Sequence, residues 1–227
     1  MRKCFRVEVY KLLHGGAFWT VLVLVLALAS VMLMDSYRKT PSFFFASLYN
    51  TPLLCFLTIV FVALFIGSDF EERTLRMAIA VGYSRRQVLL AKVVTAQLAG
   101  VVIMMLPLLV HGMVDGSWSN SAALFAVVIV GILAMNALPC FFAVAFGDLG
   151  RSMAVSLLCY FVMCFFLNSD QSALRYIFSC LLPMGQLRRL ALSEMTLQVG
   201  MILMIDGVWI IGLYLLSWLL FKHRDLE

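Results

Sequence analysis

Five stretches of this chain run for 18 residues or more without an Asp, Glu, Lys or Arg: 17–34, 40–68, 93–114, 116–147 and 152–169. About 20 apolar residues suffice to cross a ~30 Å hydrocarbon core. The runs are apolar all round, with no polar stripe, as a lipid-facing helix must be. The hydrophobic fraction of 63% and the charged fraction of 13% leave too little polar surface to keep a 227-residue domain in water. The expected fold is an all-α integral membrane protein with six transmembrane helices, forming one membrane domain over 1–227.

Charge and cysteine usage narrow the class further. The formal net charge is +5, which in a membrane protein follows from retention of Lys and Arg in cytoplasmic loops. No basic patch interleaved with aromatics appears, so no nucleic-acid partner is expected. Cys55, Cys140, Cys159 and Cys164 sit inside apolar runs and read as small hydrophobes. No CxxC occurs, and His14, His111 and His223 share no ligand spacing, so neither a metal site nor a disulfide framework is expected. Ala27-Leu28-Ala29 offers a signal-cleavage pattern, but the apolar run continues to Met34, which favours an uncleaved first span.

Residues 2–13 place Phe5, Val9, Leu12 and Leu13 on one helical face and Arg2, Lys3, Arg6 and Lys11 elsewhere, the pattern of an amphipathic helix lying in the cytoplasmic interface. Spans are expected at about 17–34, 43–67, 93–113, 121–146, 152–168 and 199–221. Thr51-Pro52 has the form of a helix start, but 52–66 alone is short for a crossing, so 43–50 either belongs to a Pro-kinked second span, the preferred reading, or forms a separate short helix outside. Ser152 is the expected cap of the fifth. Residues 169–198 are read as one or two short helices dipping into the outer leaflet before span six. With both termini cytoplasmic, twelve Lys and Arg fall inside and five outside.

The segment 67–92 carries the most information. Gly67 is positioned to end span two. Ser68 with Glu71 has the form of a capping box opening a new helix. Glu72 and Arg76 are an i, i+4 pair on its polar face. Leu75 and Ile79 share another face, and Gly82 suits a C-terminal cap. Ser84 with Gln87 forms a second capping box, leading into span three. A short amphipathic helix between capped turns suits a ledge on which another protein presses; the plainer reading is an ordinary charged loop.

The Glu-Arg-Thr-Leu-Arg of 72–76, the Gly-Tyr-Ser-Arg-Arg of 82–86 and Lys92 at the foot of a span resemble the membrane subunits of type-2 ATP-binding cassette exporters. More narrowly, the chain is similar to the permeases of lantibiotic- and bacitracin-type peptide-antibiotic immunity and export. Arg73 stands where that family often has Gly before Thr74. The resemblance implies a bacterial plasma-membrane machine of two permease and two ATPase subunits, with 68–82 as the coupling helix seated in the ATPase. Ser68, Asp69, Glu71, Glu72, Arg73, Thr74, Leu75, Arg76, Ile79 and Gly82 would form that contact, and Arg85 and Arg86 would meet the ATPase or lipid phosphates. ATP and Mg would be held by the partner, with no cofactor on this chain, and the substrate would be an amphipathic peptide, antibiotic or lipid-like compound.

The residues agree that this chain does not hydrolyse ATP itself. No Gly is followed by Lys, so no phosphate-binding loop exists, and neither G-x-S-x-G nor H-E-x-x-H occurs. Asp206 lies inside the sixth span, where an acid costs about 2.5–3.5 kcal/mol and must face protein or water. It either lines a substrate pathway, pairs with Arg175, Arg188 or Arg189, or sits protonated at a subunit contact. Asn136 beside Pro139 marks a polar kink or helix–helix adhesion in span four. The alternative to an ATP-driven permease is an ATP-independent secondary carrier or channel.

Overall fold

A computed structural model of the chain describes residues 2–72, 74–116, 122–168, 171–192 and 199–223. The described residues are almost wholly helical and contain no strand. Six helices are long and apolar enough to cross a membrane, the architecture of a multi-pass membrane protein.

α1 (Arg2–His14) is followed, after Gly15, by α2 (Gly16–Ser36), whose 21 residues rise about 30 Å. A single 3-10 turn, Tyr37–Lys39, precedes α3 (Phe43–Val62). Ser42 caps α3, its Oγ accepting from the Phe45 amide at 3.4 Å, and the Asp115 carboxylate accepts from the Phe43 amide at 3.1 Å. The helix therefore starts at 43, and Pro52 lies inside it. Thr51 does not cap a helix; its hydroxyl donates to the Ser47 carbonyl one turn back, at 3.1 Å.

The second span also ends later than 67. α3 widens into a π-helical turn, Ala63–Gly67, and continues as α4 (Ser68–Glu71), so one apolar helix runs over Phe43–Glu71. Gly67 has ordinary helical φ (−64°) and does not stop the helix. A Cβ there would come to 3.0 Å from the Leu149 Cα, so the glycine suits a close backbone approach. After the short helix α5 (Thr74–Ala80), α6 (Arg85–Asp115) begins eight residues before the expected third span. Its first two turns carry the Arg and Lys residues that hydropathy alone assigns to a loop.

α7 (Ala122–Phe146) and α8 (Leu149–Leu167) are joined by a two-residue turn in which Gly147 has φ +56°. Asp148 caps α8, accepting from the Arg151 amide at 2.7 Å. Ser152, the expected cap, lies one turn inside the helix and donates to the Leu149 carbonyl instead. The stretch before the sixth span forms two short helices, α9 (Ser172–Leu181) and α10 (Pro183–Ala191), with Pro183 at the first position of the second. α11 (Val199–His223) completes the bundle.

α3 and α7 form its centre. α3 packs against α2, α6, α7 and α10, and α7 also packs against α8 and α11. About 61% and 67% of the apolar windows of these two spans are buried, against 17% for α8 and α11. The peripheral helices present most of their apolar surface outward, which in water would be prohibitive and in lipid is expected. α10 is drawn into the bundle: Met184, Leu187 and Leu190 are buried, and Leu187 lies where a Cβ on Gly131 of α7 would approach it to 2.9 Å. Its Arg188 donates to the Tyr49 hydroxyl of α3 (2.5 Å) and to the Asn168 side chain (2.9 Å).

Candidate functional site

The end of the bundle where α1, α4, α5 and the start of α6 meet carries both the candidate ledge and most of the charge. The ledge begins after a turn at Glu72, whose amide donates to the Ser68 carbonyl at 2.8 Å. Ser68 and Glu71 do not form the expected capping box. The Ser68 hydroxyl donates to the Leu64 carbonyl (2.5 Å), a bond available to any serine in mid-helix. The Glu71 carboxylate instead accepts from the Leu149 amide at 2.8 Å, bracing the start of α8.

The exit from the ledge follows the expected chemistry. The Gly82 amide donates to the Ile79 carbonyl (2.9 Å) and the Tyr83 amide to the Ala78 carbonyl (3.3 Å), a Schellman closure with Gly82 at φ +103°. Ser84 then caps α6, accepting from the Gln87 amide at 3.3 Å. Arg73, and the side chain of Arg76 with the pair it was expected to form with Glu72, lie outside the described residues.

Within α5 the faces differ from the expected arrangement. Leu75 is 5% exposed and Ile79 packs against the core, so these two anchor the helix to the bundle. The outward apolar residues are Met77 (61% exposed) and Val81 (78%), four residues apart on one face. Glu71 and Glu72 are exposed beside them. Arg86 is exposed as well, whereas Arg85 donates to the Lys222 carbonyl near the end of α11, at 3.2 Å.

Asp69 is not a surface residue. Its carboxylate is buried and pairs with Lys92 of α6 and, at 3.3 Å, with Lys11 of α1. The Lys92 ammonium, 2% exposed, also donates to Glu8 of α1 at 2.8 Å and stands 4.0 Å over the Phe65 ring in the π-helical turn. Two cations and two carboxylates thus close into a neutral cluster joining α1, α4 and α6, while the Thr74 hydroxyl at the start of α5 donates to the Asp69 carbonyl at 3.3 Å. The sequence marked Lys92 only as the foot of a span. Its partners lie 84 and 23 residues away; a Lys inside an otherwise apolar face of α6 was the available signal.

Asp206 and Asn136 are fully buried, yet neither is satisfied. Both oxygens of Asp206 and both terminal atoms of Asn136 lack a hydrogen-bond partner among the described residues. Asp206 makes no ion pair with Arg175, Arg188 or Arg189: Arg188 is turned to Tyr49, and Arg189 to Cys180 and the Tyr176 ring. Asn136 lies against Gly100 of α6, the close contact expected of helix–helix adhesion. Between α3, α7, α8, α10 and α11 a largely apolar pocket is lined by Cys55, Met135, Pro139, Tyr160, Met184 and Trp209. No protein-family model and no curated protein matches the chain.

Proposed function

We propose that this chain is the permease subunit of an ATP-driven exporter. The observation that carries the reading is the ledge. A seven-residue helix is pinned to the bundle by Leu75 and closed by a Schellman turn, and the helix with its closing turn presents Met77 and Val81 to solvent at the most basic end of the molecule. A loop of no purpose has no reason to expose an apolar pair on a capped helix, whereas a surface that seats in a partner's groove does. The partner is a cytoplasmic ATPase that holds ATP and Mg, and a second permease subunit, identical or not, completes the assembly. The ledge end is cytoplasmic, in keeping with the twelve-to-five distribution of Lys and Arg, and the membrane is a bacterial plasma membrane. The cargo is an amphipathic peptide, antibiotic or lipid-like compound, in keeping with the largely apolar pocket beside α10.

Asp206 favours a second reading, an ATP-independent carrier, because an unsatisfied acid within a span suits ion coupling. The two are separated by purifying the tagged chain from its native membrane in mild detergent. An exporter subunit brings with it a stoichiometric ATPase whose hydrolysis is blocked by vanadate; a carrier yields the chain with no ATP hydrolysis.

A further inference from the structure

The buried ion cluster asks for an explanation that the ledge alone does not give. Burying Lys92, Glu8 and Asp69 removes three charges from water, and their mutual attraction does no more than offset that loss. Apolar side chains of similar volume would hold the same three helices together at least as well. What an ion cluster can add to an oily contact is a defined register, in which each charge keeps one set of partners.

Its position is specific. Asp69 lies in α4, the last turn of the helix that leads into the ledge, and its own carbonyl is held by Thr74, the first residue of α5. The residue that receives Asp69 is Lys92, two turns into α6, which α5 precedes directly. The same ammonium reaches Glu8 on α1, a helix that also meets Asp69 of α4 through Lys11. Phe65, under the ammonium, belongs to a π-helical turn, a local widening found most often where helices serve function. A push on α5 is therefore delivered to one buried ammonium held jointly by α1, α4 and α6.

Resting on the exporter reading, we propose that Lys92, with Glu8 and Asp69, is a latch that passes movement of the ledge at 74–80 to the interfacial helix α1 and to the third span. Asp69 is then a positioning residue inside the permease and not an ATPase contact. Lys11, 39% exposed in its side chain, is an outer guy to Asp69 and is dispensable.

The test uses the ATPase-bound complex in nanodiscs, with nitroxides at Val7→Cys on α1 and Leu216→Cys on α11, both exposed positions, in a background whose other cysteines are replaced. The distance between labels is read with and without ATP plus vanadate. Wild type shows an ATP-dependent shift. The triple variant Glu8→Met, Asp69→Leu, Lys92→Met replaces the cluster by apolar side chains; it is expected to stay folded, hold the ATPase and hydrolyse ATP at the wild-type rate while the shift is lost. If the cluster only packs the bundle, the triple variant keeps the shift, and the latch is overturned while the exporter reading stands. A wild-type complex that hydrolyses ATP with no shift at α1 also overturns the latch. A wild-type preparation without an ATPase overturns the exporter reading beneath it. Should the triple variant not fold, Glu8→Gln is read in the same way: loss of the shift with hydrolysis intact supports the latch, and a retained shift overturns it.

Discussion

At the scale of single residues, the structure separates charges that sequence treats alike. Lys92, Lys11 and Lys39 are all lysines near helix ends, yet Lys92 is buried between two carboxylates, Lys11 is half-buried and Lys39 is open to solvent. Lys92→Met alone leaves Glu8 buried without its cation and Asp69 with Lys11 alone, and should lower unfolding free energy by about 3–5 kcal/mol. Lys39→Ala, which loses only an exposed i, i+4 pair with Asp35, should change it by under about 0.5 kcal/mol. Denaturant unfolding in detergent micelles distinguishes the two. The pairings themselves were illegible, because nothing local to Lys92 names Glu8 as its neighbour. Asp206 was legible as an anomaly, since an acid in a span stands out, but its lack of a hydrogen-bond partner among the described residues needed the fold. If Asp206 serves ion coupling, Asp206→Asn should abolish proton- or sodium-driven uptake; in an exporter subunit the same variant should leave ATP hydrolysis intact.

At the scale of elements, the spans were readable because lipid demands apolar residues on every face of a helix, and that demand shows in composition alone. Their ends were not, because a helix that outruns the membrane carries polar turns that look like loop. α6 extends through Arg85, Arg86 and Lys92 for this reason. The pattern Ser-x-x-Glu at 68–71 misled because a serine in mid-helix satisfies it equally well by bonding four residues back. Gly82 was read correctly, since its left-handed backbone follows from the turn that ends α5. Gly82→Ala forces that φ on a residue with a Cβ and should cost about 1–2 kcal/mol. The loss should appear as faster amide exchange confined to 74–84, with the exchange of α3 and α7 unchanged. Leu75→Asp, directed into the bundle, should free α5 and lower stability, whereas Met77→Asp, directed outward, should leave stability within about 0.5 kcal/mol of wild type.

For the whole molecule, the six apolar helices follow directly from the sequence, while the insertion of α10 between α3 and α7 does not, since its Gly185, Gln186 and Arg188 read as polar. The sidedness argument can be tested at exposed positions; Cys4 itself is buried and unsuited to labelling. In a background without other cysteines, Tyr176→Cys on α9 should react with an impermeant maleimide in intact cells. Tyr10→Cys on α1 should react only after permeabilisation, and the reverse pattern would invert the topology.

The proposed seating of the outward face of α5 in an ATPase is tested by capture of that ATPase with the double variant Met77→Asp, Val81→Asp. Two charges on a buried contact face should each cost well over 1 kcal/mol of binding. The account predicts at least a tenfold loss of co-purified ATPase from membranes in which the variant is inserted and as stable as wild type. Full capture, with hydrolysis and complex stoichiometry unchanged, would contradict it.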